Sequence, residues 1–182
     1  MLGGCGAGSG TEAILGGDQA PDPVIVDFAL AYVARPINDT SGNNLIGVNP
    51  RDPARFRPGA ELRIRDRASP SAAERAITAG LFEAAQDGTP AQYDVRDLAA
   101  SYDGMRLLFA LRAPRLPNTP ESGQPTWNIW LYDHGTRDLR RVIESDIAAE
   151  AGQDLAPRFL PDGRILFAST RQRRARAILL DE

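Results

Sequence analysis

The chain has 182 residues, 42% of them hydrophobic and 25% charged, with a formal net charge of −3, which is material for one domain or two small ones and too apolar for disorder throughout. Every one of the 21 cations is arginine, and 24 carboxylates outweigh them, so the positive excess of a nucleic-acid-binding surface is excluded. With one cysteine, Cys5, and one histidine, His134, no internal disulfide, thiolate zinc cluster or catalytic scheme that needs two of either residue can be built.

At the amino terminus, Leu2-Gly3-Gly4-Cys5 resembles the lipobox of bacterial lipoproteins, in which small residues precede a cysteine that receives a lipid on its sulfur. Gly6 to Gly10 then reads as a flexible tether, and residues 1–22 are expected to be a linker with Cys5 as its lipidation site. The departure from the pattern is the missing positive and apolar stretch upstream of Cys5. Export as a periplasmic or outer-membrane-anchored lipoprotein therefore requires a signal upstream of Met1, and without one the chain stays cytoplasmic. No run of about 18 apolar residues exists to cross a membrane as a helix, so membrane contact is expected only through a lipid on Cys5.

Residues 24–33, rich in β-formers and set between Pro23 and Pro36, predict one strand or two short ones. The Asn, Gly and Pro of residues 39–58 predict a loop. In Glu61 to Arg67, Leu62 and Ile64 alternate with Arg63, Arg65 and Arg67, the period of a half-buried strand with one cationic face. Three arginines on a face offer an anion site, but paired carboxylates such as Glu61 and Asp66 make a solvated strand face the better reading. Ser71-Ala72-Ala73-Glu74 has capping-box spacing and precedes Ile77, Leu81 and Ala85 at helical intervals, which predicts one short helix ending near Asp87-Gly88.

A short unit then occurs twice. Asp103-Gly104 runs into Met105-Arg106-Leu107-Leu108-Phe109, and Asp162-Gly163 runs into Arg164-Ile165-Leu166-Phe167. Each is a tight turn feeding an apolar strand, and a strand precedes each turn. Leu107, Phe109 and Leu111 fall on one strand face. Trp127, Ile129 and Leu131 share one face of the next strand, with Trp130 and Tyr132 on the other. Asp133-His134-Gly135 predicts a turn, residues 139–143 a further strand, and residues 177–181 one more.

The repeat predicts an all-β chain, an incomplete β-propeller of two to two and a half antiparallel blades over residues 23–182, with repeats around 94–143 and 154–182 and one short helix. Blades bury their faces against neighbours, so the chain is expected to be the amino-terminal part of a longer product. His134 reads as a turn residue without a catalytic partner. Trp127 and Trp130, on opposite strand faces, read as packing residues and not as a sugar platform. Asp103 and Asp162 read as turn residues and not as paired catalytic carboxylates.

The segments 101–109 and 160–169 resemble the WD40-like repeats of TolB-type periplasmic propellers. A narrower resemblance, carried by residues 65–72, 93–98, 157–164 and Thr170-Arg171-Gln172, is to proteins related to the hydrazine synthase alpha subunit, large exported bacterial proteins that combine a propeller with c-type haem segments. The resemblance implies haem c elsewhere in such a protein. This chain contains no Cys-x-x-Cys-His site, so no cofactor residue is carried over. A non-catalytic scaffold or binding module for a protein, glycan or small-molecule ligand is the first expectation. A fragment of a haem oxidoreductase is the alternative, and a prolyl-oligopeptidase-like propeller is a third, although no Gly-x-Ser-x-Gly pentapeptide occurs.

Overall fold

The computed structural model describes residues 27–38, 42, 52, 54–69, 71–85 and 87–171. Cys5, the predicted tether, most of the loop 39–58 and the predicted strand at 177–181 lie outside the described residues. Within them the chain is all-β, an incomplete propeller-like stack of three antiparallel sheets.

The first sheet joins β1 (Leu30–Ala34), β2 (Glu61–Arg65) and β3 (Glu74–Ala76) in that order. The second is a complete four-strand meander of β4 (Asp94–Ala100), β5 (Arg106–Arg112), β6 (Trp127–Asp133) and β7 (Leu139–Arg141). The third pairs β8 (Asp154–Phe159) with β9 (Ile165–Ser169).

Period-two alternation sorts the strand residues into two separate cores, one on each side of the second sheet. Leu107, Phe109, Leu111 and Tyr132 pack with Ala60, Leu62 and Ile64, closing the first sheet onto the second. Leu108, Ala110, Trp127, Ile129 and Leu131 point the other way and pack with Phe159, supported by Ile165 and Phe167. The predicted split of the Trp127 and Trp130 faces is therefore real. Trp127 is fully buried in the second core, while the half-buried Trp130 backs the first.

The predicted helix after Ser71 does not form. Glu74, its supposed capping residue, instead sits in β3 opposite Arg65, and its carboxylate binds Arg63 and Arg65 across the sheet at 2.7 and 2.8 Å. Ile77 continues the ladder by donating its N–H to Leu62 O at 2.8 Å. Buried Thr78 accepts the Leu62 N–H at 3.1 Å on its hydroxyl. Cross-strand partners for Glu74, Ile77 and Thr78 thus outbid a lone helical turn. A single α-helical turn occurs instead at α1 (Asp146–Ala149), capped by the Ser145 hydroxyl.

The two Asp-Gly units have the same backbone construction. Gly104 and Gly163 take φ of 72° and 84°, a left-handed conformation that glycine adopts without strain. Their N–H groups donate to Ser101 O and Leu160 O, each at 2.9 Å. Upstream, both inner strands carry a bulge, between Arg96 and Ala99 in β4 and between Leu155 and Arg158 in β8. Each bulge contains a left-handed residue, Asp97 at φ 56° and Ala156 at φ 52°. Bulge and turn are separated by the same interval in both units, since 97 to 156 and 103 to 162 both span 59 residues.

Candidate functional site

Among the described residues, clefts open at the ends of the sheets and beside the connection that follows β3. At the end where β1 and β5 finish and β2, β4 and β6 begin, arginines and aspartates of separate elements meet. A cavity of about 210 Å³ there is lined by Arg35, Asp52, Arg55, Arg57, Asp94, Arg96 and Asp97. Asp94, the first residue of β4, is 1% exposed. Its Oδ2 accepts the Arg57 backbone N–H at 2.6 Å, and its Oδ1 lies 2.9 Å from Nη2 of Arg35. Arg35 also donates to Val95 O at 2.7 Å.

One buried carboxylate thereby ties the exit of β1, the segment entering β2 and the start of β4 together. Burial pushes the Asp94 carboxyl above the usual carboxylate range, against the opposing pull of Arg35. Asp154, at the start of β8, repeats the theme. It is fully buried, bonded to Arg171, and raised in pKa chiefly by desolvation.

The same end is strapped by residues 54–60. Trp127 Nε1 donates to Ala54 O at 2.7 Å, and the Gly59 N–H donates to Tyr93 O at 2.8 Å. Phe56 lies beneath Arg112 and Arg115, with guanidinium carbons 5.2 and 6.0 Å from its ring centre. Arg112, only 4% exposed, donates to Pro125 O at 2.7 Å and pairs with Glu121 at 3.0 Å. Arg96 lies 5.6 Å from the centre of the Trp127 ring and pairs with Asp97 at 3.2 Å. Here Asp94 and Arg112 bond to neighbouring segments, and Arg96 and Arg112 lie against aromatic rings, which fixes the loops.

The second cleft, about 350 Å³, lies at the opposite end between the first and second sheets. Ala29, Ala31, Ile64, Leu98 and Leu107 form its apolar wall and His134 stands beside them. The His134 N–H donates to Met105 O at 2.8 Å, consistent with its predicted place in a turn. The third, about 440 Å³, lies where the connection 79–93 loops past Gly59 and Ala60.

The remaining sequence-predicted candidates separate. Asp103 Oδ1 accepts the Met105 N–H at 3.0 Å and the Ser101 hydroxyl, which holds its carboxyl below the usual range. Asp162 Oδ1 accepts the Arg164 N–H at 3.1 Å, and its Arg164 side-chain bond lowers it similarly. Each stabilises its own turn, and the two are not brought into one site. The arginine face of β2 is ion-paired, Arg63 with Glu61 and Glu74, and Arg65 with Glu74. Bonds from Tyr32, Arg65 and Arg63 hold Glu74 down at about 2.

The chain matches no protein-family model, no curated protein and no solved structure. Among the described residues no group of three or more His, Cys, Asp or Glu is placed to hold a metal ion, and no helix is long and apolar enough to cross a membrane. Asp94, Arg112 and Asp154 were not singled out by sequence reasoning, because their partners lie on other elements. Their one sequence signal is position, at the first or last residue of a strand.

Proposed function

We propose that the chain is a non-catalytic scaffold or binding module made of stacked propeller blades, belonging to an exported bacterial envelope protein held to the membrane by a lipid on Cys5. The observation that carries this reading is the second sheet. Both of its faces are sealed by neighbouring sheets, and Asp94 and Arg112 at its strand ends are bonded to neighbouring loops. Such a body offers rigid loop surfaces for a protein, glycan or small ligand.

Haem chemistry of the hydrazine synthase type does not fit the residues of this chain. A c-type attachment needs two cysteines and a histidine in one motif, and Cys5 and His134 are 129 positions apart with no second cysteine. No redox step is derived for it. In the test, the protein encoded by the complete gene is purified and assayed for haem absorbance, for peptide, ester and redox turnover, and for binding to glycan and protein panels. Saturable binding without turnover is expected. Turnover abolished by substitution of a residue within this chain overturns the reading.

A further inference from the structure

The two repeat units differ in the burial of one strand face. After the turn, the second unit lacks a counterpart of Met105, so Arg106, Leu108, Phe109 and Ala110 correspond to Arg164, Leu166, Phe167 and Ala168. Ladder pairing confirms the register, since Leu108 faces Ala99 as Leu166 faces Arg158, and Ala110 faces Arg96 as Ala168 faces Leu155. The same tripeptide, Leu-Phe-Ala, therefore stands at the same place in β5 and β9. In β5 its Leu and Ala are 0% exposed beneath the third sheet. In β9 Leu166 is 59% exposed, and Ala168 is exposed beside it.

The covered copy shows what sits on such a face. Phe159, Ile165 and Phe167 of the third sheet pack over Leu108 and Ala110, and Arg106 reaches across to lie 5.4 Å from the centre of the Phe159 ring. Arg164, the counterpart of Arg106, stands on the rim of the uncovered face. The opposite end of the stack is finished differently. Tyr32, Arg63, Arg65 and Glu74 share the outer face of the first sheet and bond to one another, the polar surface of a terminal repeat.

We propose that the β9 face bearing Leu166 and Ala168 is a blade-to-blade interface, filled by a fourth sheet of the same repeat encoded in the same gene after β9. Each sheet here is covered by the next in chain order, which makes the downstream chain the occupant. Its inward face carries aromatic and branched aliphatic residues at the positions of Phe159, Ile165 and Phe167, with an aromatic ring under Arg164. The clasp between Asp97 Oδ2 and the Ala156 N–H, 3.0 Å long, has no counterpart there, because Ala156 occupies the position of Asp97. The inference rests on the propeller reading above.

The test compares Leu166→Ala in the 182-residue chain and in the protein encoded by the complete gene, with Leu108→Ala as reference. Hydroxyl-radical labelling of Leu166 is read alongside. In the 182-residue chain the denaturation midpoint is expected to stay near that of the parent, with Leu166 readily labelled. In the gene product the midpoint falls as far as with Leu108→Ala, and Leu166 is protected. A silent substitution and a labelled Leu166 in the gene product overturn the proposal. So does a full-sized loss already in the 182-residue chain, which shows that the face is covered without a fourth sheet. Neither result bears on turnover or ligand binding, so the functional reading fails or stands separately.

Discussion

Leu108 and Leu166 form a matched pair, one residue type at one repeat position with opposite burial. Replacing fully buried Leu108 with alanine removes its transfer free energy and leaves a cavity between the second and third sheets, together about 2–5 kcal/mol. For a domain of this size each kcal/mol lowers Tm by about 2–4 °C. Leu166→Ala deletes atoms that are mostly in water at 59% exposure, and such surface changes stay within about 0.5 kcal/mol. Urea unfolding of both variants against the parent gives the difference directly, provided the m-value is unchanged. Equal losses refute the reasoning, since they mean either that Leu108 is not sealed by the third sheet or that Leu166 is.

Further expectations concern single bonds. Asp94→Ala removes the acceptor for the Arg57 N–H and Arg35 and costs about 1.5–3 kcal/mol, with faster amide exchange at Arg57 as its local signature. An unchanged stability shows that the three elements are not tied there. Gly104→Ala and Gly163→Ala meet no atom within 4 Å but place a Cβ at φ of 72° and 84°, so each loses about 1–2 kcal/mol by chemical denaturation. Unequal losses contradict the equivalence of the turns. The Glu74 carboxyl is held at about 2, below its ordinary 4.5, so its contribution is present above pH 4.5 and lost as pH falls toward 2. A Glu74→Gln variant measured by Tm across pH 2–7 is expected to lose that acid-limb dependence, and an unchanged profile refutes the assignment.

What could be read in the sequence was local. The Asp-Gly dipeptides announced their turns because only glycine sits easily at φ above +70°, and alternation along residues 107–111 and 127–132 assigned the two faces correctly. Residues 71–85 misled because capping-box spacing is a local signal, and Glu74 found stronger partners in Tyr32, Arg63 and Arg65 on neighbouring strands. The bulges at Asp97 and Ala156 carry no glycine to mark them, and they emerge only when the two units are laid side by side. Asp94 was illegible for a related reason, since its partners Arg35 and Arg57 come from chain 59 and 37 residues earlier.

The stack of three sheets is most directly tested by nuclear Overhauser contacts in the methyl-labelled chain. Contacts from the Ile165 methyls and the Phe167 ring to Leu108, Ile129 and Trp127 are expected, with none to Leu107 or Leu111, which face the first sheet. Contacts of Ile165 with Leu107 or Leu111, or with neither set, contradict the account.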